Sequence, residues 1–132
     1  GTCLPYQCVE KKDYVVVEAT LRLKKGDQAA IREVMDDLKQ RRVTKQPLEF
    51  GSAGSTFKRP EGYFAGKLIE DAGLRGFRIG DAQVSEKHCG FVINRGSATA
   101  AQVCELMQEV VKKVKETSGV TLEPEVKRIG EF

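Results

Sequence analysis

Residues 99–119, "TAAQVCELMQEVVKKVKETSG", constrain the fold more than any other stretch of the chain. Val103, Leu106, Met107, Val110, Val111 and Val114 recur three and four residues apart, the spacing that collects apolar side chains on one side of an α-helix. Thr99 and Gln102 form a capping-box pattern at its start, and Gly119 supplies the stop. A helix apolar on one side only needs a second apolar surface to lie on. The neighbouring segments supply it, because "FRIGDAQVS" and "CGFVINR" are rich in β-branched and aromatic residues and read as two paired strands separated by "EKH".

The rest of the chain follows the same alternation. "YVVVEATLRL" puts Val15, Val17, Ala19, Leu21 and Leu23 on one side of an extended segment, the pattern of a half-buried strand over residues 14–23. Asp27 can cap a helix from Asp27 to about Arg42 in which Ile31, Val34, Met35 and Leu38 recur at helical spacing, and Pro47 rules out continuation. "GSTFKR" reads as a short strand ended by Pro60, "YFAGKLIEDAGL" as a short helix closing at Gly73, and "EVKRIGEF" as a final extended segment. The predicted fold is α+β, a small, mostly antiparallel or mixed sheet packed by two to three helices.

A length of 132 residues suits one domain, and 40% hydrophobic with 31% charged residues and no tryptophan is the composition of a globular protein. No apolar run approaches membrane-spanning length, and nothing resembles a secretion signal. The net charge of +3 is too small to imply a polyanion partner. Cys3, Cys8, Cys89 and Cys104 lack metal-ligand spacing and read as reduced thiols of a cytoplasmic protein, Cys104 on the apolar side of its helix. A Cys3–Cys8 bridge would need an oxidising setting, for which the sequence offers no other sign.

Chemistry concentrates around "EFGSAGSTFKRP", residues 49–60. Its small residues allow close backbone approach to a ligand, yet the pattern is neither a phosphate loop nor a nucleophile elbow. The only histidine, His88, is distant in sequence, so Ser55 does not belong to a triad. As a weak acid it could protonate only a strongly basic carbanion or enolate, and its bland alternative is to cap a turn. Arg41, Arg42, Lys45, Lys58 and Arg59 flank the segment and suit phosphate or carboxylate groups. A basic helix end is also favoured by the helix dipole, an explanation that does not cover Lys45 just before Pro47. Glu123 and Glu125 could act as acid or base if buried. His88 and Cys89, adjacent on an expected strand, would point to opposite sides, His88 toward a structural or ligand role and Cys89 into the core.

The run "RRVTKQPLEFGSAGSTFKRPEGYFAGKLIEDAGLRGFRIGDAQVSEKHCGFVIN", followed by a long helix and "LEPEVKRIGE", closely resembles the C-terminal part of the UDP-N-acetylenolpyruvoylglucosamine reductase (UDP-N-acetylmuramate dehydrogenase, MurB) family, in its shorter form. The likeness runs from Asp13 to Phe132. It implies a bacterial, cytoplasmic flavoenzyme of peptidoglycan synthesis that takes hydride from NADPH onto FAD and delivers it to the enolpyruvyl double bond of UDP-N-acetylglucosamine enolpyruvate. Residues 1–26 would then be the end of the preceding FAD-binding region and 27–132 the substrate-binding domain, with the main FAD site outside this chain and neither nucleic acid nor membrane among its partners.

The resemblance also assigns residues. Ser55 matches the family's proton donor and Glu125 the carboxyl group that assists it. Lys45, Arg59 and Tyr6 fall at substrate-contacting positions. The residues themselves add Lys58 and His88 as further substrate-binding candidates, and Gly54 as a small residue beside which the flavin could approach. Arg59 stands where some relatives carry asparagine, and Gln7 where the family usually has arginine. The isolated chain is expected to bind UDP-sugar weakly and to catalyse nothing. Two other classes stay open on the residues alone. One is a stand-alone nucleotide or UDP-sugar binding module, and the other is RNA binding through "TFKRPEGYF", against which the low net charge and the lack of an RNA-binding motif both count.

Overall fold

The computed structural model describes residues 17–130, and the described residues divide into two units between Val34 and Met35. In chain order the elements are α1 (Gln28–Lys45), β1 (Gly51–Ser55), α2 (Ala65–Asp71), β2 (Arg78–Ile79), β3 (Ala82–Val84), β4 (Phe91–Asn94) and α3 (Ala100–Ser118). The four strands form one sheet in the order β1-β4-β3-β2, every pair antiparallel. Among the described residues, three helices and a small antiparallel sheet make the α+β architecture that the alternating patterns require.

Helix α3 forms as its sequence dictates. The Thr99 side chain accepts from the Gln102 N–H at 3.2 Å while the Gln102 side chain accepts from the Thr99 N–H at 3.1 Å, and Gly119 ends the helix in a left-handed conformation. Leu106, Met107, Val110 and Val114 are buried against Ala82 and Val84 of β3, Val92 of β4, and Leu68 and Ile69 of α2. Full burial of such side chains stabilises by roughly 1.5–3 kcal/mol each. Phe57 and Leu122 close the same core from the two segments joined by the Phe57–Pro124 bridge.

Several boundaries differ from the sequence reading. "FRIGDAQVS" is not one strand but a hairpin, β2 and β3, turning at Gly80 and Asp81. Gly80 takes φ +57°, and Arg78 bridges the turn to Asp81 at 3.0 Å. "CGFVINR" begins its strand only at Phe91, because His88, Cys89 and Gly90 form a turn closed by the Phe91 N–H to the His88 carbonyl at 3.0 Å. The strand expected within "GSTFKR" lies earlier, over Gly51–Ser55 itself. Pro124, just before the final extended segment, forms an isolated bridge to Phe57, and residues 125–130 form no strand.

Helix α1 starts where expected, with the Asp27 carboxylate accepting from the Ala30 N–H at 2.8 Å, and runs past Arg42 to Lys45 because nothing stops it before Pro47. The strand read over 14–23 is absent from its described part. Residues 17–23 pair with nothing there, and Val17, Leu21 and Leu23 are largely exposed. An alternating pattern makes a strand only when a second strand accepts its hydrogen bonds.

Candidate functional site

The site begins with an irregularity in an edge strand. Ser52 lies opposite Ile93 and Ser55 opposite Phe91, so β1 spends three steps where β4 spends two. One extra residue is a β-bulge, which re-aims the side chains that follow it. Gly54 carries the strain at φ +86°, a backbone region that side chains rarely tolerate, and the Ser52 Oγ accepts from the Gly54 N–H at 3.1 Å to hold the turn. The disturbed ladder is repaired by the next residue, because the buried Thr56 Oγ1 accepts from the Val92 N–H at 2.9 Å.

Immediately beyond the bulge the chain gains a second neighbour. The Glu125 N–H donates to the Thr56 carbonyl at 2.9 Å, and the Lys58 N–H to the Glu123 carbonyl at 2.8 Å. Ser55 therefore sits where one strand leaves β4 and joins the segment around Pro124. Ser55 and Glu125 both line an open cleft of about 410 Å³, together with Arg59, His88 and Gly90. Among the described residues no hydrogen bond engages the Ser55 hydroxyl, and no cation pairs with the Glu125 carboxylate. Glu125 is exposed rather than buried, as is Glu123.

Four cations line the cleft, Arg59, Lys67, Arg75 and Lys87, against two carboxylates, Glu70 and Glu125. Arg59 is the one of the four without a carboxylate partner among the described residues. Its guanidinium lies 4.0 Å from the centre of the Phe64 ring, and its Nε donates to the Tyr63 carbonyl at 3.3 Å. Stacked in that way, it keeps donors available for an oxyanion. Lys67 pairs with Asp71 at 2.6 Å, and that hydrogen bond raises the lysine's pKa. Arg75 pairs with Glu70 at 2.5 Å, which raises its pKa, and also donates to the Glu86 carbonyl. Burial pushes the Cys89 thiol up, an effect that the Arg75 guanidinium partly opposes. Cys89 lies in the core as expected, and both it and the half-buried Cys104 are free thiols, whereas Cys3 and Cys8 lie outside the described residues.

The structure thus brings together Ser55, Arg59, His88 and Glu125 and leaves other candidates apart. Lys58 turns away to an ion pair with Glu123. Gly54 forms the bulge without lining the cleft, and Lys45 stays at the exposed end of α1. Tyr6 lies outside the described residues. Sequence reading missed Lys67, Arg75, Lys87 and Thr56, which reach the site only through the packing of α2 and the 85–90 turn. One signal was available in Gly66, whose place inside a short helix costs stability unless something comes close. A Cβ there would stand 3.2 Å from the Gly90 nitrogen and 3.4 Å from the His88 ring.

Lys87 has a further effect. Its Nζ donates to the Val43 carbonyl at 2.7 Å and lies 3.7 Å from Glu49, so a cleft residue caps the last turn of α1, two residues before Lys45. A second cavity of about 400 Å³ lies against β1, β4 and α3, lined mainly by small and apolar residues such as Ala53, Ile93, Val103, Cys104 and Met107, with Lys127 and Arg128 also present.

Fold and site together define an α+β domain with a cationic cleft beside a bulged edge strand. The chain belongs to the family of the UDP-N-acetylenolpyruvoylglucosamine reductase C-terminal domain, whose model matches residues 46–129. It is 63% identical over 123 residues to UDP-N-acetylenolpyruvoylglucosamine reductase of Lachnoclostridium phytofermentans, covering 93% of this chain and 40% of that protein. Its likeness to the enzyme of the same name in Agathobacter rectalis is 59% over 127 residues, again covering 40% of the relative. The crystal structure of UDP-N-acetylenolpyruvylglucosamine reductase from Thermus caldophilus superposes with a TM-score of 0.63 at 36% identity, over 79% of this chain and 37% of that one. The chain therefore spans about 40% of the length of the curated relatives it matches. None of the described helices is long and apolar enough to cross a membrane.

Proposed function

We propose that this chain is the substrate-binding part of a bacterial flavoenzyme that reduces UDP-N-acetylglucosamine enolpyruvate to UDP-N-acetylmuramate with NADPH. The observation that carries the proposal is the placement of Ser55 and Glu125 on adjoining segments in one cleft, with Arg59 beside them and without a carboxylate partner among the described residues. In this reading residues 1–26 end a preceding FAD-binding region, 27–132 form the substrate domain, and the whole acts in the cytoplasm.

A bound flavin would supply the hydride for the vinyl terminus. The exposed small residues Gly51, Ser52 and Ala53 leave room for a planar ring to approach β1, and a Cβ added at Gly54 would meet nothing within 4 Å. When hydride adds to the terminal carbon, the electron pair of the double bond moves to the carbon bearing the carboxylate. Ser55 gives its proton to that carbon, completing the new C–H bond, and the serine alkoxide is reprotonated through Glu125 or solvent. The carbanion is basic enough to take a proton from an alcohol, which is why Ser55 needs no neighbouring histidine. Arg59, Lys67 and Arg75 offer charge-assisted donors to the carboxylate and diphosphate of the substrate, while Lys45 approaches the nucleotide-sugar portion from the end of α1.

The test is reconstitution. Mixed with the FAD-binding region of a close relative, the chain should support NADPH oxidation that depends on the enolpyruvyl substrate. Ser55→Ala in a full-length relative should lower turnover by roughly 10²–10⁴-fold. Undiminished turnover in that variant would remove Ser55 from the reaction.

A further inference from the structure

His88 is the only histidine among the 132 residues, and it is held from four directions. Its backbone N–H donates to the Oγ of the buried Ser85 at 3.2 Å. Its carbonyl accepts from the Phe91 N–H at 3.0 Å. Its ring meets the Phe91 ring edge-on, with centroids 4.9 Å apart at 72°. Most tellingly, its Nδ1 accepts a hydrogen bond from the Gly90 N–H at 3.1 Å.

A backbone N–H can only donate, so the Nδ1 facing it must be the unprotonated nitrogen. A neutral imidazole with a bare Nδ1 carries its hydrogen on Nε2. That second nitrogen has no hydrogen-bond partner among the described residues, and the ring lines the cleft that holds Ser55 and Glu125. The surrounding backbone is shaped to this arrangement. A Cβ on Gly90 would stand 3.0–3.1 Å from the imidazole, and one on Gly66 3.4 Å from it. Gly66 of α2 and Gly90 of the turn leave room on one side of this otherwise exposed ring.

We propose that the 85–91 turn locks His88 in the Nε2–H tautomer and that this N–H is an uncharged donor to an acceptor oxygen of the bound ligand. In a cleft that carries four cations among its described lining residues, such a donor adds directional selection without adding charge. The identity of the ligand rests on the nucleotide-sugar reading above, whereas the tautomer does not.

Because the chain has one histidine, long-range proton–nitrogen spectra of the labelled protein show a single imidazole. The expected pattern is a protonated Nε2 and a bare Nδ1 in the free chain, with the Nε2 signal moving on addition of UDP-N-acetylglucosamine. His88→Asn keeps an oxygen for the Gly90 N–H but does not reach the Nε2 position. It should fold, with a thermal midpoint lowered by the lost ring contact with Phe91, and bind that probe roughly three- to tenfold more weakly, the loss of one hydrogen bond. An Nδ1–H tautomer in the free chain, an unmoved Nε2 signal on saturation, or full affinity in the asparagine variant would overturn the proposal. Absence of UDP-sugar binding by the unsubstituted chain would instead refute the nucleotide-sugar reading, and the tautomer would still be decided by the spectrum of the free protein.

Discussion

Helices α1 and α3 both place apolar residues at helical spacing, far more one-sidedly in α3, and meet opposite fates. Leu106, Met107, Val110 and Val114 of α3 are buried against a sheet that the chain itself provides. Ile31, Val34, Met35 and Leu38 of α1 are each about half exposed, and no residue of that helix is buried. Periodicity states that a surface is needed; it does not state that the surface lies in the same chain. The capping of both helices was legible because caps are local, each a side chain meeting a backbone N–H three residues away. Burial depends on what is packed alongside, and that is not local.

The largest effects should separate the two helices. Leu106→Ala, at a side chain with no exposed surface, should cost about 2–5 kcal/mol by denaturant unfolding. Leu38→Ala should stay within about 0.5 kcal/mol of the parent, as surface substitutions do. A large cost at Leu38 would mean that α1 is packed after all, and the contrast would collapse. Next comes the hairpin beneath α3. A methyl on Gly80 would stand 2.3 Å from the Gln102 amide at φ +57°, so Gly80→Ala must displace the capping box as well as strain the turn. A loss of about 1–3 kcal/mol is expected, and Thr99→Ala alone should cost about 1 kcal/mol.

A smaller effect tests the join between α1 and the cleft. Lys87→Met removes the donor to the Val43 carbonyl, so amide exchange over residues 43–46 should quicken while the β3–β4 ladder stays protected. Smallest is a reactivity difference between the two described thiols. The buried Cys89 has its pKa raised, so its reactive thiolate is scarcer near neutral pH. Alkylation followed by peptide mapping should label Cys104 ahead of Cys89, and rising pH should bring Cys89 into reaction.

The site was legible only in part, for similar reasons. Ser55, Glu125, Arg59 and His88 belong to motifs readable as a group, and the fold gathers them into one cleft. The bulge that aims Ser55 was not readable, because it is a difference in register between two strands and "GSAGS" looks like a loop in isolation. Thr56 was missed because its hydroxyl acts on Val92, whose N–H is left over only once the bulge exists. Lys67, Arg75 and Lys87 carry no pattern of their own and reach the cleft through packing.

The central claim is that the cleft beside the bulged strand is where a nucleotide sugar binds. Amide chemical-shift mapping during titration with UDP-N-acetylglucosamine tests it most directly. The account predicts the largest changes at Ser55, Arg59, Gly66, Gly90 and Glu125, with α1 upstream of Val43 and the hairpin at Gly80 unmoved. Changes centred instead on Ala53, Val103, Cys104 and Met107, the lining of the second cavity, would contradict it.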